Sequence, residues 1–403
     1  MKITFCKTLS FIIAVIVLSS LCMTAFASEL TPYPLRTPWE TKLEFKEIAA
    51  LNGTPSTSNW KNNWINSYCN VVLTGGGSAH SRDGYIDEET SEYVYDNLSG
   101  EAGDYYLFVS QEPDSSSRPV VIYFNTDPSA KNQSHSNGGA IYSNAIYDFD
   151  VRIQPGKWSN SFSASNNKAT TFVVYGWDIT NNKRVVVARM SIDSYDTTSQ
   201  SWYPTYYDTG LGKYKGMPIV SDIDNWYKLR MCIDVKNQKV KYYVLDSEGK
   251  LVAQSSEQDF VSSCDYAMTA VELTVGAYRN ISIDNLRVVK ETYVVDEPVI
   301  SQNETDITTS VNVGHNVYST DGVPTTSPIA VLAAYDANNK LLAFDSDVVE
   351  FSGHEVSGIT NFKLPPEYKS LNLKIDKPQR EYTLKFYLWS NYFDAAPYII
   401  DID

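Results

Sequence analysis

Five aromatic rings crowd into residues 201–216, SWYPTYYDTGLGKYKG, beside three glycines and one proline. Pro204 lacks the N–H that a central strand donates, and Gly210, Gly212 and Gly216 favour turns, so the segment is predicted to be an elaborated loop. Exposed rings stack on the C–H faces of sugars and lose little side-chain entropy on binding. We therefore predict a carbohydrate-binding set: Trp202, Tyr203, Tyr206 and Tyr207. Large rings are also commonly buried, and the alternative that they cap the core stays open.

One further ring belongs to this prediction. Trp158 lies in the polar stretch QPGKWSNSFS, which has the composition of a loop rather than of a strand. Polar surroundings favour exposure of its indole ring. We predict Trp158 as a further carbohydrate-binding residue.

Asp284 is the candidate metal ligand. In the stretch AYRNISIDNLRVVK, Ile281 and Ile283 share one parity, whereas Leu286 has the other. This slip at Asp284–Asn285 predicts a β-bulge, which redirects side chains. Asp284 is then aimed either at a turn amide or at a structural calcium ion, which needs several oxygen ligands from separate loops. The turn amide is the simpler of these interpretations.

Catalytic carboxylates do not follow a recognisable pattern. Retaining hydrolases of the jelly-roll type carry Glu-x-Asp-x-Glu, because alternate residues of a strand share one face. Three places begin this pattern, and each has another residue where the second glutamate belongs: Ser116, Val261 and Thr308. We predict no catalytic residues, although acids or bases drawn from distant strands stay open.

The elements that position these residues are strands. In YDFDVRI, Tyr147, Phe149 and Val151 alternate with Asp148 and Asp150, which is the period of a strand with one face in a core. WYKLRMCIDV alternates in the same way, and the polar stretches at 235–240 and 246–250 turn the chain into hairpins. Many short strands separated by polar turns predict an all-β fold, an antiparallel jelly-roll β-sandwich followed by a smaller Ig-like β-sandwich.

The chain divides into segments of different composition. Positive charge at Lys2 and Lys7, the apolar run FIIAVIVL and the small residues of TAFAS predict a signal peptide, and hence a secreted, extracellular protein. A polar, proline-containing stretch near residue 298 predicts a linker. The predicted organisation is a signal peptide at 1–27, an N-terminal extension at 28–75 that either precedes or joins the sandwich, a sandwich at 76–292, a linker at 293–304 and a second sandwich at 305–403.

Net charge limits the classes of binding partner, and the number of cysteines bears on disulfide formation. The net charge of −15 disfavours nucleic acid, whose phosphates repel an acidic chain, and no second apolar stretch is long enough for membrane insertion. Beyond the predicted signal peptide the cysteines are Cys69, Cys232 and Cys264, an odd set without a CxxC pair. Whether any two of them form a disulfide stays open. No cofactor is predicted apart from the structural calcium considered above.

Several stretches resemble a known family. IYDFDVRI, NWYKLRMCIDVKNQKVKYYVLDSEGKLV and ISIDNLRVVKE resemble strands of the concanavalin A-like (laminin G-like) jelly roll of secreted bacterial glycan-active proteins. The resemblance implies lectin-like, carbohydrate-binding or glycan-cleaving functions, and it implies a calcium ligand at Asp284. Separately, IAVLAAYDANNKLLAFDS and YTLKFYLWSNYFDAAPYI are similar to a small C-terminal accessory sandwich of clostridial secreted glycan-active proteins.

Three classes of function follow from these observations. The preferred one is a secreted carbohydrate-binding or glycan-associated protein whose partner is a polysaccharide or a cell-surface glycan. A polysaccharide-active enzyme, hydrolase or lyase, with dispersed catalytic residues is the first alternative. A structural or adhesion spacer is the second.

Overall fold

The computed structural model describes most of the chain from residue 77 onward and short stretches before it. These are residues 32–33, 35, 38–42, 51–52, 57–58, 68–72, 77–87, 90–102, 104–111, 120–125, 140–153, 170–196, 201–217, 221–222, 225–275, 280–291, 293–315, 327–351, 367–389 and 398–402. Within them the regular structure is entirely β-strand. The chain forms two compact units, Glu40–Val289 and a second made of Met1–Trp39 with Lys290–Asp403.

The larger unit is built from the first 22 strands, of which β1 and β22 extend slightly past its limits. In chain order they are β1 (Pro38–Lys42), β2 (Leu51–Asn52), β3 (Thr57–Ser58), β4 (Tyr68–Val72), β5 (Gly77–Arg82), β6 (Gly84–Ile86), β7 (Tyr93–Tyr95), β8 (Tyr106–Gln111), β9 (Val120–Asn125), β10 (Ala140–Ile141), β11 (Asn144–Ile153), β12 (Thr170–Asp178), β13 (Lys183–Asp196), β14 (Ser201–Asp208), β15 (Lys213–Gly216), β16 (Ser221–Asp222), β17 (Trp226–Asp234), β18 (Lys239–Asp246), β19 (Leu251–Gln254), β20 (Gln258–Asp259), β21 (Tyr266–Val275) and β22 (Asn280–Glu291).

Two ten-stranded antiparallel sheets and the two-stranded ribbon β6–β7 account for the 22 strands of this unit. The first has the order β19-β18-β17-β11-β22-β8-β5-β2, with β1 beside β22 and β20 beside β18. The second has the order β15-β14-β13-β12-β21-β9-β4-β3, with β10 beside β21 and β16 beside β14. Strands β2 to β4, which lie within the predicted N-terminal extension, therefore pair inside both sheets.

The core lies between the two sheets. Period-two alternation places one side of each strand inward, and Phe149 of β11 stacks on Phe172 of β12 with ring centroids 4.2 Å apart. Tyr147 of β11 donates its hydroxyl proton to the carbonyl of Met268 on β21 at 2.6 Å. One continuous apolar cluster joins residues of both sheets, as expected for a sandwich. The prediction of an all-β antiparallel jelly-roll sandwich is confirmed.

The prediction of a loop at 201–216 is wrong. β14 and β15 form a hairpin at the edge of the second sheet, and only the four residues between them turn. Pro204 is tolerated because a bulge between Ile192 and Ser194 interrupts the pairing opposite it, while its carbonyl accepts a hydrogen bond from the N–H of Met217 at 2.9 Å. Gly212 occupies the turn with a φ of +62°, a conformation that glycine adopts readily.

Eight strands lie among the described residues of the second unit. They are β23 (Tyr293–Val295), β24 (Val299–Gln302), β25 (Asp306–His315), β26 (Ile329–Tyr335), β27 (Leu341–Val348), β28 (Glu367–Asp376), β29 (Thr383–Trp389) and β30 (Tyr398–Ile402). β25 pairs with β23, β24 and β28, while β27, β26, β29 and β30 form the other four-stranded sheet. An apolar cluster that includes Val311, Leu332, Leu373 and Phe386 joins the two sheets, so this unit is a smaller β-sandwich.

One segment of this unit differs from expectation. Residues 293–304, predicted as a linker, contain β23 and β24, which both pair with β25. In the other sheet, β27 is continuous across Asp345 and Ser346, which pair with Leu332 and Val331 of β26. An Ig-like topology for this unit stays a prediction.

Candidate functional site

A row of small side chains crosses the outer face of the second sheet. Gly216, Thr205, Ser191, Thr171 and Thr274 are successive cross-strand partners on β15, β14, β13, β12 and β21. At least one sequence neighbour of each belongs to the apolar core, and because alternate residues of a strand face opposite sides, the row itself faces outward. Ser191 is fully buried and Thr205 is nearly so, and Thr205 Oγ1 donates to the carbonyl of Ser191 at 3.2 Å. Solvent reaches the row at Thr171, Thr274 and Gly216, and we call this row, with the larger side chains beside it, the cross-strand groove, of which the row is the floor.

Aromatic rings form one wall of the groove at its β15 end. Tyr207 and Tyr214 are paired across β14 and β15, with ring centroids 5.5 Å apart and planes at 87°. The guanidinium of Arg189 on β13 lies 5.7 Å from the centre of the Tyr207 ring. The three side chains are half-buried, and no described residue accepts a hydrogen bond from Arg189 Nε. The wall therefore combines ring faces with a cationic side chain.

Glu272 continues the same wall toward the middle of the sheet. Its carboxylate accepts hydrogen bonds from the hydroxyls of Tyr175 at 2.8 Å and of Thr274 at 3.4 Å. The guanidinium of Arg184 lies over the Tyr175 ring at 4.1 Å from its centroid. Half-buried Glu272 thus holds an acceptor in a fixed position beside the floor.

The predicted carbohydrate-binding rings divide between the two faces of β14. Tyr203 and Tyr207 are half-buried on the outer face, where Tyr203 flanks Thr205 on the side away from Tyr207. Trp202 and Tyr206 point inward and are 0% and 4% exposed. Trp202 meets Tyr227 of β17 edge to face at 5.6 Å, which explains its burial: the ring bridges the two sheets. Their expected exposure to a ligand is therefore not observed, and Trp158 lies outside the described residues.

The predicted slip at Asp284–Asn285 is confirmed. Ile281, Ile283 and Leu286 all belong to the core although their parity changes, and Asn285 between them has a φ of +48°. The buried carboxylate of Asp284 accepts a hydrogen bond from the backbone N–H of Asn285 at 2.7 Å. This is the turn-amide interpretation, and a calcium ion at Asp284 stays a prediction.

Sequence reasoning missed a row of buried charges on the outer face of the first sheet. Asp148 of β11 accepts two hydrogen bonds from Arg230 of β17, at 2.7 and 2.9 Å, and further ones from Arg287 of β22. Asp150, two residues along β11, lies 3.0 Å from the ammonium of Lys228. The alternation of charged and apolar residues in β11 was the available signal, but it also fits a solvent-facing side. Here both faces of β11 are buried.

The described part of the chain contains neither a cluster of metal ligands nor a helix that could span a membrane. No group of three or more His, Cys, Asp or Glu side chains there is placed to hold a metal ion. In the same residues, no helix has the length and apolar character needed to cross a bilayer.

Among known proteins, the chain is similar only to solved structures, and this similarity is weak. No family model matches the chain, and no curated protein matches it. Lectin I from Ulex europaeus, solved with the methyl glycoside of α-L-fucose, is 6% identical over 63% of this chain and 98% of its own, with a TM-score of 0.33. The catalytic domain of a glycoside hydrolase family 131 protein from Coprinopsis cinerea is 10% identical over 52% and 82%, with a TM-score of 0.28.

A sialidase is 11% identical over 47% of this chain, with a TM-score of 0.29, and the match covers 15% of the sialidase chain. Because the TM-scores are this low, the proposals below rest on the chain's own geometry.

Proposed function

We propose that this is a secreted carbohydrate-binding protein that holds a glycan in the cross-strand groove. The observation that carries the proposal is the set of half-exposed rings, Tyr203, Tyr207 and Tyr214, on the same face as the partly exposed hydroxyls of Thr171 and Thr274. Sugars offer apolar C–H faces and a rim of hydroxyls, so a ring at the wall and hydroxyls at the floor match both kinds of surface. Arg189 and Glu272 add one charged donor and one charged acceptor within the same wall.

The shape of the groove favours an extended chain over a single terminal sugar. Its floor crosses five strands, from β15 to β21, and strands lie about 4.8 Å apart, so the row is about 19 Å long. The sheet itself fixes the floor and walls, which keeps the entropy cost of binding low. We expect affinity to rise with chain length until the groove is filled.

The proposal is tested by electrophoresis of the protein through native gels that contain single soluble polysaccharides. The panel is barley β-glucan, xyloglucan, arabinoxylan, polygalacturonate and yeast mannan, so that both neutral and acidic chains are sampled. We expect at least one to retard the protein. The same mixtures are then assayed for new reducing ends, because their appearance would indicate a polysaccharide-active enzyme rather than a binder.

A variant that fills the floor separates groove binding from binding elsewhere. Thr171 is partly exposed, so Thr171→Tyr places a ring in the groove without displacing the core. We expect it to abolish retardation. The matched control is Tyr368→Ala, which removes a ring that is 47% exposed on the second unit. If Thr171→Tyr and the parent protein are retarded equally, the glycan does not bind in the groove.

Export of the protein is the second part of the proposal. The apolar run, the basic residues before it and the Ala25/Ala27 pair are the features that support cleavage after residue 27. Expression with these residues in a secreting host, followed by N-terminal sequencing of the medium fraction, tests it. A protein retained in the cell with its first residues intact would contradict it.

A further inference from the structure

A short hairpin protrudes from the connection between two neighbouring strands of the first sheet. β5 and β8 are paired, yet 23 residues, 83–105, connect them and include the ribbon β6–β7. Gly84 is required here, because a Cβ at that position would lie 2.2 Å from the carbonyl oxygen of Val94. The connection is therefore a built element rather than a simple turn.

One buried side chain holds the base of this connection together. Asn97 Nδ2 lies 3.1, 2.6 and 2.8 Å from the carbonyl oxygens of Asp83, Glu101 and Asp104 and shares its two protons among them. Its Oδ1 accepts from the backbone N–H of Gly100 at 2.6 Å. Because these bonds tie the start of the segment to its end, the ribbon is held in one orientation before any ligand arrives.

The ribbon displays its apolar side chains to solvent. Tyr93, Val94 and Tyr95 are 49%, 37% and 43% exposed, and the two tyrosine rings lie edge to face with centroids 5.2 Å apart. Tyr93 donates its hydroxyl proton to Asp83, which raises the pKa of Tyr93 to about 12. β6 and β7 pair with each other, and no other strand of the described residues pairs with the outer edges of this ribbon.

The connection at 83–105 is strongly acidic. Residues 83–105 contain eight Asp and Glu residues and no Lys, Arg or His. One of the eight, Asp96, is paired with Arg152 of β11 at 2.5 Å, which anchors the segment to the first sheet. Glu92 and Glu101 of this acidic segment are exposed, and the segment's excess of negative charge repels anionic ligands and attracts cationic ones.

We propose that the β6–β7 ribbon is a docking site for an extended, basic segment of a protein partner. Lysine or arginine side chains of such a segment gain from the tyrosine faces and from the surrounding carboxylates. An extended main chain can add to the open strand edge, an interaction that a glycan cannot make. This site is separate from the cross-strand groove and does not depend on glycan binding.

The test measures binding of a labelled, acetylated peptide of alternating lysine and valine by fluorescence anisotropy. We expect saturable binding that weakens as sodium chloride is raised, and no binding of the corresponding glutamate–valine peptide. Tyr93→Ala with Tyr95→Ala should weaken binding about tenfold, since two exposed cation–π contacts are lost. Slower amide exchange at 84–86 and 93–95 in the presence of the peptide is expected if it adds as a strand.

Two further variants keep the test decisive if the double variant is poorly folded. Glu92→Lys changes an exposed charge and should weaken peptide binding, whereas Tyr93→Phe removes only the hydroxyl and should bind normally. Tyr368→Ala is the matched control for loss of an exposed ring. Equal binding of both peptides, unchanged binding by Glu92→Lys, or preference for a glucosamine oligomer over the lysine peptide would each overturn the proposal.

Discussion

The ring of Tyr206 on β14 stacks on that of Tyr242 on β18, with centroids 5.4 Å apart and planes at 27°. The hydroxyl of Tyr242 in turn accepts a hydrogen bond from the backbone N–H of Arg189 at 3.3 Å. One tyrosine of the first sheet thus contacts both the inward side of the hairpin and the strand that carries the groove wall. The position of the groove on the second sheet is therefore linked to packing inside the sandwich.

Removing the hydroxyl of Tyr242 tests this link. Tyr242→Phe keeps the ring stack but leaves the N–H of Arg189 without this acceptor, so we expect a loss of about 1–2 kcal/mol in the free energy of unfolding. Chemical denaturation of both proteins measures it. An unchanged free energy would mean that the Arg189 N–H finds another acceptor.

Trp202 should act as a core residue and not as a ligand residue. Trp202→Ala removes a fully buried ring between the two sheets, and we expect a loss of about 3–5 kcal/mol in the free energy of unfolding. Tyr203→Ala on the outer face is the control and should cost less than about 1 kcal/mol. Similar losses for the two variants would place the ring outside the core.

Asp148 and Asp150 should respond to pH in opposite directions. Burial alone would raise the pKa of Asp148. The hydrogen bond from Arg230 and the charges of Arg230, Arg287 and Lys228 outweigh this effect, so the pKa lies below 3.8. Its contribution to stability is present above pH 3.8 and is lost as the pH falls through its folded pKa. Burial raises the pKa of Asp150 above 3.8 despite Lys228, so its contribution is lost as the pH rises through that higher pKa.

Two amide variants measured over a pH series check these signs. Asp148→Asn leaves buried Arg230 and half-buried Arg287 without their carboxylate, and we expect a loss of about 3–5 kcal/mol in the free energy of unfolding at neutral pH and a flatter decline in acid. Asp150→Asn should remove the loss of stability on going from pH 4 upward. If the free energy of unfolding of the parent protein stays constant as the pH is lowered from 3.8, the assignment to Asp148 is contradicted.

Gly176 should resist substitution although it lies within a strand. A Cβ there would lie 2.7 Å from the Cβ of Cys264 and 2.8 Å from its Sγ, so Gly176→Ala should cost about 1–3 kcal/mol through overpacking. Gly216→Ala is the control, because nothing lies within 4 Å of a Cβ at that position. Thermal unfolding of the two variants compares them, and equal midpoints would be the contrary result.

Local patterns in the sequence predicted the strands well and the hairpin at 201–216 poorly. The alternation in β11 and β17 contrasts apolar with charged residues, and both strands form as expected. In β14, rings occupy both parities, since Trp202 and Tyr206 face inward while Tyr203 and Tyr207 face outward. Because both faces of β14 carry aromatic residues, the sequence shows no alternation of apolar and polar residues there. The proline at 204 then favours the prediction of a loop.

The groove could not be predicted from sequence because it depends on the register in which separate strands pair. Thr205, Ser191, Thr171 and Thr274 come from four strands, and nothing local specifies that they stand side by side. The same holds for Asp148 with Arg287, which are 139 residues apart. Sequence patterns identify which side of a strand is buried, whereas long-range pairing decides which side chains meet.

Glycan binding at the groove wall is tested most directly by the affinity of Tyr207→Ala with Tyr214→Ala for the polysaccharide that retards the parent protein. The proposal predicts a loss of at least about tenfold, since rings at the centre of an interface contribute most of its energy, with a melting temperature close to that of the parent. Retardation equal to that of the parent protein would contradict it.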